Sequence, residues 1–253
     1  MPGKSITFLD DQQWPVEGFA FTLPIQPETT ALGIIDVQHY CTDPDSDLAR
    51  TVQSHNTELF EDYSRRVEQM LANIVRLLKC FRHAGGRVFF TRHGAQLPDG
   101  ADMILRRRGR EDHSHRATDD ESGHMPGKGS AGFEILEAVA PIEGDLVLDK
   151  NTSSAFHSTP IDLYLRNMGI ETIVLTGLAA DMCVNATALD AADRGFHVIV
   201  ASDATATFDP GSAEAVQILF GRIYGYVMKT EDILHWMTTG EVPSLTSLPV
   251  AAD

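Results

Sequence analysis

From residue 31 onward, short runs rich in β-branched residues alternate with longer stretches whose apolar positions recur every three to four residues. That alternation is the sequence form of repeated βα units. Ala31-Leu32-Gly33-Ile34-Ile35-Asp36 predicts a first strand. After a polar loop, a helix is predicted over about 56–83, with Val67, Met70, Leu71, Ile74, Leu77, Leu78 and Phe81 at helical spacing. It stops at Ala84-Gly85-Gly86, a helix-ending signal, and Val88 to Thr91 follows as the second strand.

The segment from Arg92 to Ser130 is rich in Gly, Asp, Arg and His and shows no sustained period. A loop of that length inside a compact domain is more often a lid or an interface arm than a plain connection. The alternation then resumes. A short helix is predicted from Phe133 to Val139, a third strand from Asp145 to Lys150, and a helix from Pro160 to Met168 closed by Gly169. Thr172 to Leu175 reads as the fourth strand, Cys183 to about Arg194 as a helix capped by Gly195, and His197 to Ala201 as the fifth strand. A helix from Ala213 to Phe220, a sixth strand from Arg222 to Met228 and a helix from Thr230 through Trp236 complete the pattern.

The whole predicts one domain over residues 1–253, with its core at about 30–228. Its architecture is an open, mostly parallel, six-stranded doubly wound α/β sheet with helices on both faces, in three α/β/α layers. Ligands of such sheets collect at the carboxyl ends of the strands, beside the point where strand order reverses. Asp36 ends the first strand, Lys150 ends the third, and Cys183 follows the fourth, so three residues distant in sequence should converge on one edge.

Taken singly, each has an ordinary structural reading: a buried core cysteine, a capping aspartate, a solvated lysine. Together they make a chemical set. Cys183 is predicted at a helix N-terminus, where unpaired N–H groups and the macrodipole favour the thiolate. Asp36 can take the thiol proton and later deliver it to a leaving amine, while Lys150 keeps the carboxylate ionised. That is acyl transfer through a thioester.

Composition narrows the partners. A formal net charge of -16 argues against nucleic acid and anionic membrane surfaces, which need clustered cations. Cys41, Cys80 and Cys183 are too few and too scattered for a disulfide framework, and no CxxC or zinc spacing occurs. No apolar run approaches membrane-spanning length, and Met1 to Asp10 lacks the apolar stretch of a signal peptide, so a cytoplasmic location is expected.

Three motifs, in order, resemble the isochorismatase-like cysteine hydrolases, in the branch of N-carbamoylsarcosine amidase and ureidoacrylate amidohydrolase. They are Ile34-Ile35-Asp36-Val37-Gln38, then Val147-Leu148-Asp149-Lys150 with Ser154-Ala155-Phe156, then Val174 to Val184 continuing through Thr187 and Ala191-Ala192-Asp193-Arg194-Gly195-Phe196. The resemblance implies a triad of Asp36, Lys150 and Cys183. It also implies a cis peptide before Ala179 and an oxyanion hole made by the backbone N–H groups of Ala179 and Cys183. The expected reaction is hydrolysis of a carbon–nitrogen bond in a small amide, carbamoyl or ureido compound, by a homo-oligomer, without cofactor.

Where metal-dependent nicotinamidase-like members carry Asp-Trp-His, this chain reads Thr91-Arg92-His93, so no catalytic metal is expected and nicotinamide is disfavoured. His39-Tyr40-Cys41 likewise replaces the Asn-Asp-Phe found in many members. Isochorismatase itself cleaves a vinyl ether and lacks the cysteine, which favours the amidase branch. Gln38 and Tyr40, just beyond Asp36, are candidate pocket residues. Phe156 is either a pocket wall or core packing. Arg107, in the run Arg106-Arg107-Arg108-Gly109-Arg110, either grips a substrate carboxylate or lies on a solvated face. His113 and His115 lack a further convincing metal ligand. A thiol-redox protein, a binding protein on the same fold and an isochorismatase-type hydrolase stay open as alternatives.

Overall fold

The computed structural model describes residues 5–7, 20–22, 26–104 and 126–240. Ser5–Thr7 (β1) and Ala20–Thr22 (β2) pair as an antiparallel ribbon of their own. The main sheet begins with Thr30–Ile35 (β3), every residue of which is buried. Two helices, His39–Thr42 (α1) and Asp47–His55 (α2), then lead into Thr57–His83 (α3). Asn56 caps α3 by accepting the Leu59 N–H at 3.0 Å. Helix α3 buries the predicted stripe of Val67, Met70, Ile74, Leu77, Leu78 and Phe81.

Arg87–His93 (β4) and Leu146–Lys150 (β5) follow, then Ala155–Ser158 (α4) and Ile161–Asn167 (α5). Beyond them come Thr172–Leu178 (β6), Asn185–Asp193 (α6), His197–Ala206 (β7), Pro210–Ile223 (α7), Tyr226–Met228 (β8) and Thr230–Thr239 (α8). Six strands pair in the order β5-β4-β3-β6-β7-β8, all parallel. Strand order therefore reverses between β3 and β6, at the centre of the sheet.

One apolar cluster joins α3 and α8 to one face of the sheet. A second joins α5, α6 and Phe220 of α7 to the other. The expected three layers are present, with continuous apolar strands because parallel sheets are covered on both faces.

Several boundaries differ from the pattern. Phe133 to Val139 is not a helix but two short 3₁₀ turns, Ala131–Phe133 and Glu137–Val139, joined by extended chain. That chain is stitched to the segment after β3: His39 N–H donates to the Glu134 carbonyl and Leu136 N–H to the Val37 carbonyl, both at 3.1 Å. Tertiary pairing overrides local propensity there. The sixth strand is shorter than predicted because Arg222 and Ile223 still belong to α7, which Asp209 caps and Pro210 opens.

Gly177 lets β6 approach β3. Its φ is +100°, and a Cβ there would lie 2.2 Å from the Ile35 carbonyl oxygen. Only glycine accepts both conditions.

Candidate active site

Ile35 of β3 is in register with Thr91 of β4 and Gly177 of β6, and His93 of β4 with Lys150 of β5. The strand ends bearing Asp36, Lys150 and the turn to Cys183 thus share one edge. Asp36 directly follows β3 with a positive φ of 51°. Its N–H donates to the Thr91 carbonyl at 3.1 Å.

One Asp36 carboxylate oxygen accepts from the Thr91 hydroxyl at 2.7 Å, and the other lies 2.7 Å from Lys150 Nζ. Lys150 also donates to the Thr152 carbonyl at 3.0 Å. The two charged side chains are 3% and 0% exposed, so the pair is sealed from water. Burial pushes the Asp36 carboxyl up. The charges of Lys150 and His93 and the hydrogen bonds from Lys150 and Thr91 outweigh it, holding the group below its ordinary value and ionised.

The peptide between Leu178 and Ala179 is cis. A single π-type turn, Ala180–Val184, then carries Cys183, and α6 begins only at Asn185. This corrects the predicted helix start at Cys183. The N–H groups of Met182 and Val184 both reach back to the Ala179 carbonyl, at 3.0 and 3.2 Å. The Val184 bond closes a wider ring than an α-helix allows, which delays the α-helical register by one turn. The Cys183 side chain is buried with the Ile35, Val184 and Ala188 cluster.

The turn is held from outside. Asp181 accepts the Thr207 hydroxyl at 2.6 Å. Arg66 of α3 donates to the carbonyls of Thr207 and Phe208, the latter at 3.0 Å. On the far side, the Ala155 N–H donates to the Thr187 hydroxyl at 3.2 Å, tying the helix after Lys150 to the helix after Cys183.

Tyr40 belongs to this cluster. Burial, followed by the charges of Cys41, Asp36 and Cys183, pushes its phenol well above the ordinary value, so its O–H stays a donor. The same proton-holding applies to Cys41, whose thiol burial pushes up to about 12. Cys41 Sγ donates to the carbonyls of Asp36 and Gln38 at 3.3 and 3.4 Å.

Gln38 lies nearby but is occupied. Its amide nitrogen donates to the carbonyls of His93 and Phe133 at 3.2 and 2.8 Å, and its oxygen accepts the His93 N–H at 2.7 Å. This expected pocket residue is instead a clamp between β4 and the chain at 133. Phe156 packs against Phe196, with ring centroids 6.0 Å apart, and under the Arg194 guanidinium at 4.9 Å. Those are core contacts. Arg107, His113 and His115 lie outside the described residues.

Thr91 and His93 escaped the sequence reading. Both are buried at the end of β4 and both act on Asp36, one by hydrogen bond and one by charge. Buried polar residues ending an otherwise apolar strand were the available signal. Among the described residues, no group of three or more His, Cys, Asp or Glu is arranged to hold a metal ion.

The chain has relatives among known proteins. The isochorismatase domain family matches residues 30–232. A ureidoacrylate amidohydrolase RutB of Methylorubrum extorquens is 31% identical over 220 residues, covering 80% of this chain and 84% of that protein. Nicotinamidase 3 of Arabidopsis thaliana is 27% identical over 186 residues, covering 72% and 86%. Among solved structures, N-carbamoylsarcosine amidase from Thermoplasma acidophilum superposes with a TM-score of 0.57 at 28% identity, covering 80% of this chain and 97% of its own.

Proposed function

The chain belongs to the isochorismatase family of hydrolases, and we propose that it is a cysteine-dependent amidohydrolase with Asp36, Lys150 and Cys183 as its triad. Its reaction is hydrolysis of a non-peptide carbon–nitrogen bond in a small amide, carbamoyl or ureido compound. The activities named for its relatives, ureidoacrylate amidohydrolase above all, favour the ureido class. We further infer a cytoplasmic homo-oligomer that works without a cofactor.

The observation that carries the reading is the sealed Asp36–Lys150 ion pair at 2.7 Å on the strand edge beside the Cys183 turn. Desolvation cancels much of the attraction in a buried pair, so stability is a weak reason to keep one. A carboxylate that must remain ionised next to a thiol is a chemical reason.

In the proposed reaction, Asp36 takes the Cys183 proton and Sγ attacks the substrate carbonyl carbon. The resulting oxyanion meets the backbone N–H groups of Ala179 and Cys183, which act best where charge develops. As the tetrahedral intermediate collapses, the C–N bond breaks and Asp36 gives its proton to the departing nitrogen, leaving a thioester. Water then attacks the thioester with Asp36 as base, the C–S bond breaks to release the acid, and Asp36 returns the proton to Sγ. Lys150 balances the carboxylate throughout, and the Tyr40 O–H, kept protonated beside Asp36, serves to steer a polar group of the substrate.

Ammonia release across ureido acids, carbamoyl amines and aromatic amides tests the reading. Cys183→Ala should reduce turnover of the best substrate by on the order of 10⁴-fold or more, and intact mass should show an acyl adduct on the wild type. Activity surviving the substitution would overturn the mechanism.

A further inference from the structure

Helix α2 buries none of its residues, yet it does not stand clear of the protein. Its Leu48 and Ala49 line a cavity of about 380 Å³, together with Phe60, Val67 and Leu71 of α3 and with Phe208 beyond β7. Protein interiors hold few voids larger than a water molecule, and an apolar void is a place for an apolar guest rather than for water. By proportion with a cavity of ~150 Å³ that takes benzene, roughly ten to fifteen non-hydrogen atoms fit here.

The polar groups of the lining differ in what they have left to offer. The Thr42 hydroxyl donates to the Gln38 carbonyl at 2.7 Å and the Tyr63 hydroxyl to the Cys41 carbonyl at 2.8 Å, while the Cys41 thiol is turned to the carbonyls of Asp36 and Gln38. His39, the basic residue of the lining, already lies between Asp43 at 3.7 Å and Glu137 at 3.1 Å. Ser64 and Glu68 are different. They stand one turn apart on the same face of α3, and among the described residues neither side chain has a hydrogen-bond or ion-pair partner. What the cavity leaves unused is a carboxylate and a hydroxyl at one side of an apolar space, the composition of a small-molecule pocket with a few placed polar groups.

We propose that this cavity is a second binding site, and that it takes a small apolar ammonium compound of the arylalkylamine class. The hydrocarbon body lies against Phe60, Leu71 and Phe208, and the ammonium donates to Glu68 and Ser64. An ammonium only donates, which suits a free carboxylate and hydroxyl, whereas an anion of the same shape meets Asp43 and Glu68 with like charge. The net charge of -16 favours the approach of a cation in the same way. None of Asp36, Lys150 and Cys183 lines the cavity. Cys41 forms the partition, its thiol bonded towards Asp36 and its carbonyl towards Tyr63. The site therefore stands independently of the proposed chemistry.

Titration calorimetry of the full chain at pH 7 with tryptamine tests it. Binding should saturate at one equivalent per chain. Indole-3-propionate carries the same ring on the same spacer but ends in a carboxylate, and should bind about tenfold more weakly or worse. Ala49→Phe puts a ring into the cavity from a helix that buries nothing, and should weaken tryptamine binding by about tenfold or more. Glu68→Gln alters an exposed side chain that the core does not need; it should weaken tryptamine about fivefold and leave uncharged 3-ethylindole unaffected. Circular dichroism confirms that each variant is folded, and the Glu68→Gln comparison decides the matter even if Ala49→Phe is not. A wild type that does not bind tryptamine, indole-3-propionate binding as tightly as tryptamine, or a folded variant of either kind that binds tryptamine like the wild type would each overturn the proposal.

Discussion

At the scale of single residues, Asp36 and Lys150 are bound to each other's fate. Removing one leaves the other charged in a dry site, and breaking such a pair costs about 3–5 kcal/mol. Asp36→Asn should therefore lower the free energy of urea unfolding by about that amount while reducing turnover roughly 10²–10⁴-fold as the proton acceptor is lost. A variant as stable as the wild type would mean that Lys150 finds another partner. The buried Cys183 thiol and the half-buried Cys41 thiol should also part company. Cys41, its thiol pushed up to about 12 by burial and donating to two carbonyls, should resist iodoacetamide at neutral pH in the folded protein and react once urea unfolds it. Labelling of native Cys41, read by peptide mass, would contradict that environment.

At the scale of elements, the site depends on how closely β6 runs beside β3. Gly177→Ala adds a Cβ 2.2 Å from the Ile35 carbonyl oxygen at a φ of +100°, so backbone must move just before Asp36 and just before the nucleophile turn. A cost of about 2–4 kcal/mol is expected, with turnover falling further than stability alone requires. Gly195→Ala is the control: its φ is +86° with nothing within 4 Å of the new Cβ, and it should cost only about 1 kcal/mol. Equal effects in the two variants would show that the close approach is unimportant. The same contrast explains what the sequence discloses. Strands β3, β4 and β6 were legible because both faces are buried, so each reads as a largely apolar run, whereas β5 at the sheet edge, with Val147 37% exposed, was legible from its short Leu-Val-Leu run alone; the ends of these strands disclosed Asp36, Lys150 and Cys183. Helix α2 was invisible because none of its residues is buried, and α7 was cut short because its apolar face is exposed. Thr91, His93 and the true role of Gln38 depend on which strand lies beside which. Register of that kind is set by the whole sheet and is not written locally.

At the scale of the whole molecule, the response to acid follows from how its shifted groups add. The carboxyls of Asp36, Asp102, Asp149 and Asp209 are all held below the ordinary value of 3.8. In each of the first three, burial pushes up but hydrogen bonds or neighbouring cations push down harder; for Asp149 these are Arg92 and Lys128, both at 2.7 Å. Asp209 is held down chiefly by the Ser212 hydroxyl and the N–H groups it caps. His197 is lowered from 6.5 by burial, against the smaller opposing pull of Glu171. Every one of these groups binds fewer protons folded than unfolded, so the stability it contributes is present above its unfolded value and lost as pH falls through its folded one. Two declines should follow: a slight one below about pH 6.5 from His197 and a steep one below about pH 4 from the carboxyls. Discharge from -16 at pH 7 towards the isoelectric point near 4.9 relieves self-repulsion and works the other way. At about 0.15 M salt that long-range repulsion is screened over roughly 8 Å, whereas the buried pairs are not. Urea midpoints taken in such salt at pH 7, 5.5 and 3.5 should therefore fall, His197→Gln should remove the first decline, and Asp36→Asn should blunt the second. A midpoint that holds steady down to pH 3.5 would mean that the buried carboxylates gain no more from their partners in the fold than from water.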